Sequence, residues 1–141
     1  MSYAKAMQAA GAEVIEFECF GSYQGEWWAK VRYEGRIGWV QGSYGSCSGC
    51  DAFEGEFGFA YMDCEEHRWD HKDDCTACQE AKRQYDKRLA DFGRLYLDEL
   101  IPQEKAEEVA ARNIEWDSEA QGMLDWLKSH ALTANVVSPS E

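Results

Sequence analysis

Proline is nearly missing from this chain: Pro102 and Pro139 are the two in 141 residues. No proline-rich linker divides it, and no repeat or low-complexity segment interrupts it, so a single domain over 1–141 is expected. Cations are scarce as well. Acids outnumber lysine and arginine 27 to 14, leaving a net charge of −13. That balance argues against direct nucleic-acid binding, which needs a cationic footprint, and favours a protein partner with a basic surface. Long apolar runs are absent too, which excludes a membrane-spanning helix. The start, "MSYAKAMQAAGAEV", lacks the apolar centre of a secretory signal. A cytoplasmic location is therefore expected, and the six cysteines read as metal ligands or thiols, not as a disulfide framework. No glycine-rich phosphate loop, no GxSxG and no Ser/His/Asp arrangement occurs, so no catalytic or organic-cofactor residue is assigned and a non-enzymatic role is expected.

What the chain does contain falls into two dissimilar halves. Residues 1–46 read mainly as β-structure. Val14, Ile15, Phe17, Cys19 and Phe20 mark one strand, while "EWWAKVRYEG" and "RIGWVQGSY" mark two more, joined by a tight turn at Glu34–Gly35. Trp27, Ala29, Val31 and Tyr33 alternate with Trp28, Lys30, Arg32 and Glu34. The first set is expected on the core and the second half solvated, with Trp28 partly exposed.

Residues 79–132 read as helical. Cys78, Tyr85 and Phe92 recur at sevens beside Leu89 and Tyr96, predicting a long amphipathic helix from about Asp74 to about Leu100, with Gly93 its weak spot. Pro102 fits the first turn of a further helix. Asp117 or Ser118 would cap a last one that turns Met123, Leu124, Trp126 and Leu127 inward, with His130 at its end. Residues 133–141 read as a flexible tail. The expected fold class is α+β: a small antiparallel sheet joined through residues 47–78 to a helical part.

That connection carries the chemistry. It holds three two-ligand modules, Cys47-x2-Cys50, Cys64-x2-His67 and Cys75-x2-Cys78, with His71 between the last two. A two-residue spacing lets one turn direct both side chains at a single ion, and tetrahedral zinc needs two such pairs. The preferred set is Cys47, Cys50, Cys75 and Cys78, which would make the zinc structural and staple the sheet to the long helix. In that set Gly49 suits the turn, and the helix N-terminus stabilises the second pair of thiolates. The alternates bring in Cys64 and His67 in place of either pair, and leave His71 for a second ion. A thioredoxin-like dithiol would need a βαβ context that neither pair has. A zinc hydrolase or deaminase, dependent on Glu66 or His71, is the enzymatic alternative. Beside the cysteines, Asp51, Glu54, Glu56, Glu65, Glu66 and Asp70 form an acidic run. With Trp28 and Trp69, they are the residues expected to contact a basic protein partner.

Two resemblances extend this reading. "WWAKVRYEGRIGWVQGSY", residues 27–44, resembles the strand pair of bacterial Src-homology-3-like domains, which implies a small, strongly bent sheet; only three strands can be placed, so no full barrel is expected. From Tyr44 to Leu97, the succession "YGSCSGCDAFEGEFG", "CEEH", "DDCTACQ" and "KRLADFGRLYL" resembles a family of phage-encoded acidic, zinc-containing proteins. The resemblance implies a phage origin. It also implies a protein that inhibits host defence, foremost an anti-CRISPR protein blocking nucleic-acid loading by a type II Cas nuclease. The alternative within the same class is a zinc-stabilised interaction module for another host or phage partner.

Overall fold

The computed structural model describes residues 2–21, 24–45, 51–53, 74–112, 114–115 and 117–131. Its elements, in order, are α1 (Ser2–Ala9), β1 (Glu13–Gly21), β2 (Gly25–Tyr33), β3 (Arg36–Tyr44), α2 (Thr76–Leu97), α3 (Gln103–Ala111) and α4 (Ala120–Ser129). The class is α+β, with an N-terminal three-stranded antiparallel sheet in the order β1-β2-β3 followed by a helical part.

The first helix was not anticipated, although Tyr3, Ala6, Met7 and Ala10 follow helical spacing. It ends because Gly11 takes φ 105°, a left-handed position that costs glycine little. Gly11 N–H then reaches Gln8 O at 3.0 Å and Ala12 N–H reaches Met7 O at 3.0 Å, closing the last carbonyls in a Schellman arrangement. The β2–β3 turn falls where the sequence places it. Glu34 and Gly35 both have positive φ, 51° and 79°, as a two-residue turn matched to strand twist requires. In β1, a bulge between Val14 and Glu16 shifts the register by one residue. That shift lets Val14 face the same way as Phe17 and Cys19, which strict alternation would forbid.

Both sheet faces are covered. On one, Trp27, Ala29, Val31 and Val40 pack with Tyr3 and Met7 of α1 and Leu97 of α2. On the other, Trp28 and Trp39 pack with Ala106 and Ala110 of α3 and Met123 and Leu127 of α4. Trp28 is therefore wholly buried, correcting the expectation that it is exposed. Trp28 meets a second helical layer instead of solvent, whereas Lys30 is half-buried and Arg32 and Glu34 stay exposed, as expected of that set. The chain after α2 reaches that layer by pairing with the β3 edge, where Trp39 N–H donates to Ile101 O and Ile101 N–H to Trp39 O, both at 2.8 Å.

Helix α2 matches the predicted long helix. Gly93 is not its weak spot but its contact point: a Cβ there would strike the backbone carbonyl of Ala6, so α1 crosses α2 at van der Waals distance only because the side chain is missing. Pro102 is the N-cap of α3 and not its first residue. Glu119 caps α4, with Asp117 Oδ1 accepting the Glu119 N–H at 2.9 Å. Met123 and Leu127 are buried as expected, while Leu124 and Trp126 are half-buried.

Candidate functional site

Of the expected zinc ligands, Cys75 and Cys78 are described. Cys47, Cys50, Cys64, His67 and His71 lie outside the described residues, as do Glu54, Glu56, Glu65, Glu66, Trp69 and Asp70 of the expected partner surface. Cys75 is the N-cap of α2, in extended backbone (φ −96°, ψ 120°), and its side chain makes no capping bond to the helix. Cys78 follows in the first turn and is wholly buried. The pair thus stands where unsatisfied N–H groups and the helix dipole favour thiolates, a setting that fits zinc–sulfur chemistry. Among the described residues, no three Cys, His, Asp or Glu side chains gather closely enough to hold a metal ion, so no described neighbour completes the set.

Asp51, directly after Cys50 in sequence, belongs to the interior. It is 8% exposed, which corrects the expectation that it contributes to a partner surface. Burying a carboxylate is costly unless its oxygens are satisfied. Here Oδ1 accepts from the Tyr3 hydroxyl at 2.5 Å and from Phe53 N–H at 3.0 Å, and Oδ2 accepts from Gly45 N–H at 2.8 Å. Tyr3 Oη also accepts the Phe53 N–H at 3.1 Å. Phe53 then packs edge-on against both Tyr3 and Phe92 of α2, with ring centroids 5.8 and 5.5 Å apart. Burial, reinforced by the bond to Asp51, pushes the Tyr3 phenol far above the ordinary tyrosine range and keeps it a donor. Sequence reasoning missed Tyr3 as a supporting residue. Its helical spacing with Ala6, Met7 and Ala10 was a usable signal for burial, but nothing local pairs it with Asp51.

A second feature lies at the end of the sheet beside the β1–β2 connection. A recess of about 430 Å³ is walled by Phe20, Tyr44 and Met123 and carries the carboxylates of Glu26, Asp117 and Glu119. Among the described residues, no lysine or arginine pairs with these three acids. Partial burial, then the neighbouring Cys19 thiol and Glu119 carboxylate, push the Tyr44 phenol up. Burial and then Glu18 likewise push the Cys19 thiol up, which leaves it a poor nucleophile. The surface of α2 is different. Its acids are matched within the helix: Lys82 pairs with Asp86 and Lys87 with Asp91, each at 3.0 Å, Arg94 with Asp91 at 2.7 Å, and Arg83 with Glu80. Hydrogen bonds from Lys87 and Arg94 hold the Asp91 carboxyl below its usual range.

No described helix is long and apolar enough to cross a membrane. The chain matches no family model, and no curated protein or solved structure is significantly similar to it.

Proposed function

We propose that this chain is a non-enzymatic, zinc-stapled protein that acts by binding a basic protein surface. The observation that carries this reading is the uneven pairing of its acids. The long helix neutralises its own carboxylates, whereas Glu26, Asp117 and Glu119 line an aromatic-walled recess without a described cation. Unmatched carboxylates beside Phe20 and Tyr44 suit a lysine or arginine side chain, whose stem lies on the rings while its head meets the acids. The zinc set Cys47, Cys50, Cys75 and Cys78 stays the preferred one because Cys75 and Cys78 sit at a helix start that stabilises thiolates. Its role is to tie the three-stranded sheet, whose β2–β3 hairpin resembles Src-homology-3-like strand pairs, to α2.

Within this class, the sequence resemblance favours a phage-encoded anti-CRISPR protein that occludes the nucleic-acid channel of a type II Cas nuclease. Such a channel is rich in lysine and arginine, so binding should weaken with added salt. Purified type II nucleases, presented to the immobilised chain at low and high ionic strength, test this. Capture at low salt that is lost in high salt, and lost in the double variant Glu26→Gln/Glu119→Gln, supports both partner and surface. Absence of any complex at low salt removes the nuclease reading. Capture indifferent to the double variant removes the recess as the contact.

A further inference from the structure

The two edges of the sheet are finished differently. On the β3 side, Trp39 exchanges a pair of backbone hydrogen bonds with Ile101, each 2.8 Å long. On the β1 side, among the described residues, no backbone group outside β2 bonds to the strand. In an antiparallel ladder every second residue turns its N–H and C=O away from its partner, so the outer row of β1 is open to another chain. The register with β2 runs unbroken through residues 16–21, opposite residues 30–25, beyond the bulge. Solvent reaches this strand: no residue of β1 is buried, whereas Trp27, Trp28, Ala29 and Val31 of β2 are. Its side chains alternate in character. Phe17 and Cys19 lie on the side of Trp27 and α1, while Glu16, Glu18 and Phe20 lie on the side of Trp28 and α4. Glu16 Oε1 stands 3.9 Å from His130 Nε2, and Glu18 pairs with no lysine or arginine among the described residues.

We propose that residues 16–21 of β1 take an extended segment of a protein partner as an added strand, with lysine or arginine facing Glu16 and Glu18 and apolar side chains beside Phe17 and Cys19. The proposal rests on the basic-partner reading above and names the form in which that partner binds. Main-chain hydrogen bonds to an open edge supply affinity, and the alternating side chains supply specificity. Charge selects the occupant. Opposite charges across a strand pair stabilise it and like charges oppose it, so Glu16 and Glu18 favour a basic strand and disfavour a second copy of this chain. The edge also leads to the acidic recess, because Phe20 and Gly21 belong to both. A chain laid along β1 therefore arrives at Glu26 and Glu119 with its next basic side chain.

The probe is a short fluorescent peptide of alternating lysine and valine, titrated into the full chain at low ionic strength. Its counterpart is the same peptide N-methylated at every residue, which keeps the charges but cannot donate backbone hydrogen bonds. The plain peptide should bind and slow amide exchange in residues 16–21, and the methylated one should do neither. Glu18→Lys should weaken binding about fivefold. Glu108→Lys makes the same change of charge on the exposed surface of α3 and should have far less effect. Equal binding of the methylated peptide, or equal weakening by Glu108→Lys, would overturn strand addition and reduce the contact to net charge. Protection of residues 16–21 that grows with protein concentration alone, together with a dimer in sedimentation, would assign the edge to a second copy instead. Failure of the plain peptide to bind also overturns the proposal. The nuclease capture described above then separates the two readings: capture that survives Glu18→Lys keeps the basic partner without the edge, and absence of both capture and peptide binding removes both.

Discussion

The two faces of the sheet are built by different means. On the face covered by α3 and α4, each buried tryptophan finds a partner for its indole N–H. Trp28 Nε1 donates to Met123 Sδ at 3.3 Å, and Trp39 Nε1 to Gln103 Oε1 at 2.7 Å. On the face covered by α1 and α2, Trp27 Nε1 has no partner among the described residues although it is buried. There the indole lies across Gly42, whose missing side chain makes the room, and stacks on Phe17 with centroids 5.2 Å apart. For the tryptophans, one face supplies hydrogen bonds to the indole N–H and the other supplies close backbone approach and ring packing. The second is accordingly the face where small residues matter most.

The largest expected effect tests that difference at the helix crossing. Gly93→Val should destabilise the fold by about 3 kcal/mol, because the new side chain meets α1 backbone that cannot rotate away, as measured by chemical unfolding. Its counterpart under the other face is Gly122 in α4, where a Cβ meets nothing within 4 Å. Gly122→Ala should stabilise by about 0.5–1 kcal/mol through helix propensity alone, so the two glycines should move the unfolding midpoint in opposite directions.

A smaller effect separates the tryptophans. Trp39→Phe and Trp27→Phe delete the same ring volume, but only the first also breaks an N–H bond. Trp39→Phe should therefore cost about 1 kcal/mol more, and equal losses would show that the Gln103 bond contributes nothing.

The smallest effect is in pH dependence. Burial raises the folded-state pKa of Tyr3 above its unfolded value near 10.0. Below pH 10 the phenol is protonated in both states and its contribution is fully present. Above pH 10 the unfolded chain loses this proton first, so stability falls as pH rises toward the higher folded value. Unfolding free energies measured from pH 9 to 12 should decline less steeply in Tyr3→Phe than in the unaltered chain. Tyr96, also raised by burial, keeps part of the slope in place.

Much of the architecture is legible in the residues. The Glu34–Gly35 turn, the three strands and α2 follow from local signals: a two-residue turn sequence, β-branched and aromatic runs, and apolar residues returning at helical spacing. The cysteine pairs are legible only as candidate ligand modules, since two-residue spacing is a property of a single turn. Trp28 and Asp51 are not legible. Trp28 shares its strand phase with Lys30, Arg32 and Glu34, and Asp51 opens a run of acids, so a local reading makes both surface contacts. Gly93 looks like a flaw in a helix until the helix that crosses it is known.

The sequence by itself determined the class α+β, the strand and helix order after residue 13, the charge of −13 and the spacing of the candidate ligands. Each is set by composition or by residues within a few positions of one another. Only the tertiary structure decided that helices pack on both sheet faces, that Asp51 is an internal acceptor and that Gly93 is a contact. The physical reason is distance along the chain. Periodicity states which residues share a face, but what covers that face comes from elsewhere. The partner of Trp28 is 95 residues away, and that of Asp51 is 48.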